Sequence, residues 1–145
     1  MITEKIPQLI SKALGMRAFS YTPYSEYQVG AALLLKSGEI VGGCNIENIA
    51  FSPTCCAERT AIFKAVSEGK KDFAAIAIVG GPAGKEIEDY CAPCGVCRQV
   101  LSEFCDKDFP VILAKSPSNY KIMTLEEILP LSFKPDAQVG KSANA

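Results

Sequence analysis

The chain is organised around two short stretches, Thr54-Cys55-Cys56-Ala57-Glu58-Arg59 and Pro93-Cys94-Gly95-Val96-Cys97-Arg98-Gln99. Apolar residues at helical spacing follow each stretch, so we expect helices over residues 56–68 and 94–104. Each predicted helix is followed by an apolar run typical of a buried strand, at 73–79 and 109–114. The two stretches therefore place three cysteines and a glutamate at the starts of two helices.

Three of these cysteines have the spacing of a zinc site. Cys94 and Cys97 share one face of a helical first turn, where free backbone N–H groups favour thiolates. Zinc binds thiolates readily, and a catalytic zinc has three protein ligands and one position open to water. Cys56 is the third candidate; Cys55 is its rival, but only Cys56 stands two residues before Glu58. We predict one zinc per chain, held by Cys56, Cys94 and Cys97, with Glu58 beside it as the proton carrier.

The composition limits the possible functions. The chain has 145 residues and a net charge of −1. It contains no histidine, and this absence excludes His-ligated metal sites and Ser-His or Cys-His catalysis. No segment accumulates basic residues, so the footprint of a nucleic-acid-binding protein is missing. Seven cysteines without a signal-peptide pattern predict reduced thiols in the cytoplasm. No stretch is long and apolar enough to predict a membrane span.

The order of the predicted elements favours an α/β fold, a three-layer α/β/α sandwich around a mixed five-stranded sheet. We also predict a helix at 4–19, with Pro7 in its first turn, and a hairpin of two strands at 29–35 and 39–45. An edge strand follows at 120–123. A short helix then begins with a capping box at Thr124 and ends at Pro130. Gly80 to Lys85 lacks the spacing of a phosphate-binding loop and is predicted to be a plain loop. We expect one domain over residues 1–135 and a flexible tail over 136–145.

Four motifs in a specific order resemble those of one enzyme family. They are Tyr27-Gln28-Val29-Gly30-Ala31-Ala32, Gly43-Cys44-Asn45-Ile46-Glu47-Asn48, Cys56-Ala57-Glu58-Arg59-Thr60-Ala61 and Pro93 to Gln99. From about Tyr21 to Phe133 the chain is similar to the small, homotetrameric cytidine deaminases with three cysteine ligands to zinc. The resemblance implies hydrolysis of cytidine and 2′-deoxycytidine to the uridines and ammonia, in pyrimidine salvage. It implies no nucleic-acid polymer and no membrane as partner.

The resemblance also assigns roles to individual residues. It implies that zinc-activated water attacks C4 of the base while Glu58 moves the protons. Tyr27 would stack on the pyrimidine, Asn45 and Glu47 would bind the ribose hydroxyls, and Ile46 between them would pack the other way. The backbone at Ala57 would stabilise the developing negative charge. Phe133 would reach into a neighbouring subunit, so that active sites are shared within a homotetramer.

Two arginines and a glutamine complete the predicted site. Three thiolates give a zinc site a net charge of −1, which makes its water less acidic. We therefore expect Arg59, one helical turn from Cys56, and Arg98, directly after Cys97, to donate hydrogen bonds to ligand sulfurs. We expect Thr54 or Cys55 to cap the first of the two helices, Cys55 to be a small buried residue, and Gln99 to brace the site.

The sequence departs from the family pattern in two places, and three other functions remain possible. Ala92 stands where serine is usual, and Cys55 and Cys91 are extra thiols beside ligand positions. A blasticidin-type aminonucleoside deaminase uses a similar arrangement of residues. A structural zinc module would require a fourth ligand, which Cys91 or Cys55 could supply. A thiol redox protein could use Cys94 and Cys97 but leaves Cys56 and Glu58 without a role.

Overall fold

A computed structural model of the protein describes residues 2–134. Its elements are α1 (Ile2–Met16), a 3-10 turn (Arg17–Phe19), β1 (Tyr27–Leu35), β2 (Ile40–Cys44), α2 (Ala57–Ser67), β3 (Phe73–Pro82), α3 (Gly95–Phe104), β4 (Pro110–Ser116), β5 (Asn119–Thr124) and α4 (Leu125–Ile128). The tail predicted at 136–145 lies outside the described residues. Within residues 2–134, every helix is too short or too polar to cross a membrane.

The five strands form one mixed sheet in the order β2-β1-β3-β4-β5. β1 is antiparallel to both β2 and β3, β3 is parallel to β4, and β4 is antiparallel to β5. β2 and β3 therefore run in the same direction, because each is antiparallel to β1. The helices that follow β2 and β3 consequently both begin at the same edge of the sheet.

Helices cover both faces of this sheet. On one face, the buried stripe of α1 packs on alternate β1 residues, including Ala32 and Leu34. On the other face, α2, α3 and α4 pack on the intervening residues, including Ala31 and Leu33. This alternation is what a strand buried on both sides requires. The predicted three-layer α/β/α sandwich is confirmed.

The predicted end of β3 is wrong. β3 continues to Pro82, and Gly80 and Gly81, predicted to lie in a loop, instead pair with Val29 and Gln28 of β1. A Cβ atom on Gly80 would lie 2.8 Å from the sulfur of Cys91, so this glycine allows a neighbouring segment to approach rather than a turn to form.

The first helix also begins earlier than predicted. It starts at Ile2 and ends at Met16, so Pro7 lies beyond the first turn. Pro7 and Thr3 are both exposed. The carbonyl of Thr3, which loses its intrahelical N–H partner to the proline ring, can therefore be hydrated by solvent.

Gly43 allows α2 to lie close to β2, and we predict that Gly43→Ala destabilises the protein strongly. A Cβ atom there would lie 2.5 Å from the carbonyl oxygen of Ala57 and 2.6 Å from the backbone nitrogen of Ala61, and backbone atoms of a helix cannot yield individually. We expect a loss of about 3 kcal/mol in the free energy of unfolding, measured with urea.

Gly42→Ala is the matched control on the opposite face of the same strand. The three atoms nearest to a Cβ atom there belong to the flexible side chains of Met16 and Lys12. We expect its effect to be about 1 kcal/mol or less. If both variants lost the same free energy of unfolding, the close approach of α2 to Gly43 could not be the cause of the loss.

Candidate metal centre

Three cysteine sulfurs meet where α2 and α3 begin. Cys56 is the N-cap residue of α2 and Cys94 is the N-cap residue of α3, while Cys97 lies in the first turn of α3. The Sγ atom of Cys94 lies 3.6 Å from that of Cys56 and 3.6 Å from that of Cys97. All three sulfurs lie within 4.8 Å of one another. Both helices start one residue later than predicted, so Cys56 itself, rather than Thr54 or Cys55, occupies the N-cap of α2.

This arrangement fits a zinc ion. Tetrahedral zinc, with bonds of about 2.3 Å to sulfur, separates two thiolate ligands by about 3.8 Å. The observed separations of 3.6 Å are close to that value. Cys56 and Cys94 accept no capping hydrogen bond on their side chains, so their sulfurs are available for a metal. The three-cysteine zinc site predicted from the spacing is therefore supported by the geometry.

The sulfurs differ in how easily they ionise. The pKa of Cys56 is lowered, first by the neighbouring Cys97 thiol and further by the hydrogen bond from Arg59. The proximity of Cys56, together with burial, raises the pKa of Cys97. The surroundings therefore favour the thiolate form of Cys56 and oppose the simultaneous ionisation of Cys97. A dication at the centre would remove this conflict, since zinc binds cysteine as thiolate.

Glu58 lies directly beside the sulfurs, in the first turn of α2. Only 3% of its surface is exposed. Burial raises the pKa of its carboxyl to about 7. A carboxyl with this pKa can both take up and release a proton near neutral pH. Glu58 is not part of the three-sulfur cluster.

The two arginines behave differently. Arg59 donates from Nη2 to the Sγ atom of Cys56 at 3.4 Å, so the predicted contact is present. Arg98 instead donates from Nε to the carbonyl of Pro93 at 2.7 Å and from Nη1 to the carbonyl of Ile128 at 2.6 Å. The predicted bond from Arg98 to a ligand sulfur is therefore wrong. Arg98 stabilises the turn before Cys94 and holds α4 against α3.

Asn45 and Glu47 lie in the segment that follows β2, near the start of β1. The Asn45 side chain accepts from the N–H of Val29 at 3.0 Å and donates to the carbonyl of Tyr27 at 2.8 Å. Ile46, predicted to pack inward between them, is 45% exposed. Its backbone instead forms bridges with Tyr21 and Cys55. Ile46 therefore contributes backbone pairing at this position rather than a core side chain.

The Glu47 carboxylate has partners that the sequence did not indicate. One oxygen accepts from the backbone N–H groups of Tyr24 at 3.0 Å and Ser25 at 3.2 Å, and the other accepts from the Ser25 hydroxyl. The pKa of Glu47 is lowered, chiefly by the hydrogen bond from that hydroxyl. Ser25 is thus a residue of this region that sequence reasoning missed, because nothing in its own neighbourhood signals a contact with Glu47.

The extra cysteines lie outside the metal cluster. Among the described residues, the cluster comprises Cys56, Cys94 and Cys97 alone. Burial raises the pKa of Cys91 to about 11, and the pKa of Tyr27 is raised by burial and by the neighbouring Cys91. Cys55, predicted to be buried, is half-buried and accepts from the Thr60 hydroxyl at 3.7 Å. A closed site with a fourth cysteine ligand is therefore not supported.

The other predicted site residues include Ala57, Gln99 and Phe133. Ala57 is fully buried at the start of α2. Phe133 is 81% exposed, and its carbonyl accepts from the Gln99 side chain at 3.0 Å. Leu131, two residues earlier, is fully exposed with a positive φ of 54°. Gln99 thus holds the segment that carries Phe133 rather than contacting the sulfurs.

Zinc content tests the ligand set. We expect one zinc per chain in the parent protein and a loss of most of it in each of Cys56→Ala, Cys94→Ala and Cys97→Ala, because two thiolates bind zinc far more weakly than three. Cys55→Ala and Cys91→Ala are the matched controls and should retain their zinc in elemental analysis. Loss of zinc from Cys55→Ala or from Cys91→Ala would be enough to show that the proposed ligand set is wrong.

Comparison with known proteins gives a consistent result. The family described as "Cytidine and deoxycytidylate deaminase zinc-binding region" matches residues 3–113. A cytidine deaminase of Sporosarcina psychrophila is 44% identical over 131 residues, covering 90% of this chain and 93% of the relative. A blasticidin-S deaminase of Bacillus cereus is 37% identical over 114 residues, covering 75% of this chain and 79% of the relative.

A solved structure agrees with these relatives. The crystal structure of cytidine deaminase from Burkholderia pseudomallei matches with a TM-score of 0.79 and 39% identity, covering 87% of this chain and 97% of that one. The family match over residues 3–113 contains the three clustered sulfurs and Glu58. The chain therefore belongs to the cytidine deaminase family.

Proposed function

We propose that the chain hydrolyses cytidine and 2′-deoxycytidine to uridine and 2′-deoxyuridine, with release of ammonia. The observation that carries this proposal is the buried Glu58 carboxyl, whose pKa is raised to about 7, beside three sulfurs spaced for one zinc ion. Hydrolytic deamination requires an activated water and a group that moves protons between that water, the ring and the leaving amine. Both requirements are met by residues at the start of α2 and α3.

Cys56, Cys94 and Cys97 would hold the zinc. When bound, zinc supplies a Lewis acid that makes water a nucleophile near neutral pH. Glu58 takes up the proton that the attacking water loses and delivers it to N3 of the base. It then moves a second proton to the amino group, which leaves as ammonia. One carboxyl can perform both transfers because it lies beside the sulfurs and regains its acceptor form each time it releases a proton.

The base and the sugar would contact residues around the start of β1. Tyr27 offers an aromatic face to the pyrimidine. Asn45 and Glu47 supply acceptors for the ribose hydroxyls, which are donors. The N–H of Ala57 is one of the free groups at the N-terminus of α2 and can stabilise negative charge developing nearby.

Arg59 offsets the charge of the thiolates. Its guanidinium lies 3.4 Å from the Cys56 sulfur, and its pKa is raised, chiefly by that hydrogen bond. A hydrogen bond to a thiolate withdraws electron density from the sulfur and so strengthens the Lewis acidity of the metal. This is the effect that a site with three thiolates requires.

A blasticidin-type aminonucleoside is the second candidate substrate. The blasticidin-S deaminase relative supports it, because 37% identity extends over most of both chains. Parallel measurements of kcat/KM for cytidine and blasticidin S decide between them. A higher value for blasticidin S would overturn the proposed substrate while leaving the reaction in place.

We further propose a cytoplasmic homotetramer that acts in pyrimidine salvage, built from one domain over residues 1–135. The exposed Phe133 and Leu131 support the assembly, because neighbouring large apolar side chains exposed together mark contact surfaces. Phe133 would extend into the active site of a neighbouring subunit. Sedimentation equilibrium measures the assembly directly, and a monomeric mass would overturn it.

Glu58→Gln tests the proposed reaction. The amide keeps the shape of the side chain but cannot carry protons, so we expect cytidine turnover to fall by about 10⁴-fold while the zinc content stays unchanged. Ammonia release and elemental analysis provide the two measurements. The control is Glu68→Gln at the exposed C-terminal end of α2, which should retain parental activity. Residual activity within tenfold of the parent would rule out Glu58 as the proton carrier.

Arg59→Gln and Arg98→Gln should have different effects. Arg59 contacts a sulfur, so we expect its replacement to lower kcat by about 10- to 100-fold without removing zinc. Arg98 contacts two carbonyls, so its replacement should lower the free energy of unfolding by about 1–3 kcal/mol. Kinetics on zinc-loaded protein and urea unfolding separate the two effects. Parental kcat in Arg59→Gln would contradict the role of Arg59.

A further inference from the structure

The hydroxyl of Ser25 joins two residues that the proposed function assigns to different parts of the substrate. It donates to the Oε2 atom of Glu47, the proposed ribose acceptor. It accepts from the backbone N–H of Tyr27, the proposed platform for the base, at 3.1 Å. One side-chain oxygen therefore connects the residue that would bind the sugar with the residue that would bind the pyrimidine.

Glu47 has little freedom left once these contacts are made. A carboxylate offers about four acceptor positions. In Glu47 the Oε1 atom accepts from two backbone N–H groups, of Tyr24 and Ser25, and the Oε2 atom accepts from the Ser25 hydroxyl. About one position remains, on Oε2, for a hydroxyl of the sugar. The direction of that position is set by the Ser25 hydroxyl on the same oxygen.

The backbone around Ser25 is held in an unusual conformation. Glu26, between Ser25 and Tyr27, has a φ of 56°, which residues other than glycine rarely adopt. Its N–H donates to the carbonyl of Thr22 at 3.0 Å, and its carbonyl accepts from Ala83 at 2.8 Å. The turn is thus fixed to the segment after β3. Strained backbone of this kind persists where surrounding contacts specify it, and it clusters at ligand sites.

We propose that Ser25 is a positioning residue that fixes the ribose acceptor Glu47 relative to the base platform Tyr27. This inference rests on the proposed deaminase function and assigns Ser25 no contact with the reacting atoms. Without the hydroxyl, Oε2 of Glu47 loses the one donor that it has among residues 2–134, while Oε1 keeps both of its N–H partners. The carboxylate then stays in the site, but its free acceptor position is no longer directed towards the sugar.

Product inhibition of Ser25→Ala tests the proposal. Uridine and 2′,3′-dideoxyuridine, which lacks the sugar hydroxyls of the ring, serve as competitive inhibitors of cytidine turnover. We expect the inhibition constant of uridine to rise about tenfold, the size of one lost hydrogen bond to a charged group. That of dideoxyuridine should change by less than about twofold, and kcat for cytidine by less than about threefold.

Two further variants serve as controls. Ser25→Thr keeps the hydroxyl at an exposed position and should restore most of the affinity for uridine. Ser37→Ala removes a hydroxyl that likewise accepts from the N–H two residues later, that of Glu39 at 3.4 Å, in the β1–β2 turn. We expect Ser37→Ala to match the parent protein with both inhibitors.

The outcomes separate this inference from the function on which it rests. Two results would overturn the role of Ser25 alone, provided that the parent turns over cytidine. One is an equal loss of affinity for uridine and for dideoxyuridine in Ser25→Ala. The other is an affinity of Ser25→Thr for uridine as low as that of Ser25→Ala. A zinc-loaded parent that leaves cytidine unchanged would overturn the proposed function and this role with it. A selective loss for uridine, restored by threonine, supports both.

Discussion

The structure depends on the meeting of two helix N-termini around three sulfurs. Thiolates within 4.8 Å of one another repel, and the N-terminal ends of α2 and α3 supply part of the compensating charge. Arg59 supplies more, through its contact with Cys56. A dication would supply the rest. The sheet makes this meeting possible, because β2 and β3 run in the same direction and deliver their following helices to the same edge.

Burial of Glu58 has consequences for both stability and chemistry. Its pKa is raised from 4.5 to about 7 by desolvation, so the folded chain binds this proton more tightly than the unfolded chain does. Without a metal, the contribution of Glu58 to folding therefore becomes less favourable as pH rises from about 4.5 through 7. A nearby dication favours the ionised form and offsets that loss. The burial that suits Glu58 to the proposed proton transfer thus makes ionisation of this carboxyl dependent on a metal.

The sequence predicted features whose signal is local and missed those that depend on distant partners. The pairing of Cys94 with Cys97, the β1–β2 hairpin and the capping box between Thr124 and Glu127 follow from residues close together in the chain. The direction of the Arg98 side chain does not, because adjacency to Cys97 leaves open whether it turns towards the sulfurs or towards Ile128, 30 residues away. Ser25 was missed for the same reason, since its partner Glu47 lies 22 residues along the chain.

The backbone connects the proposed sugar site to the metal site. Asn45 and Glu47 flank Ile46, and the N–H and carbonyl of Ile46 each form a 2.9 Å hydrogen bond with Cys55, the residue before Cys56. Such paired bonds hold two segments at a fixed separation. The distance from Asn45 and Glu47, the proposed ribose acceptors, to Cys56 is therefore set by backbone pairing rather than by side-chain packing. This explains how Ile46 can remain half-exposed: its contribution is its backbone, which holds Asn45, Glu47 and Cys56 in one rigid frame.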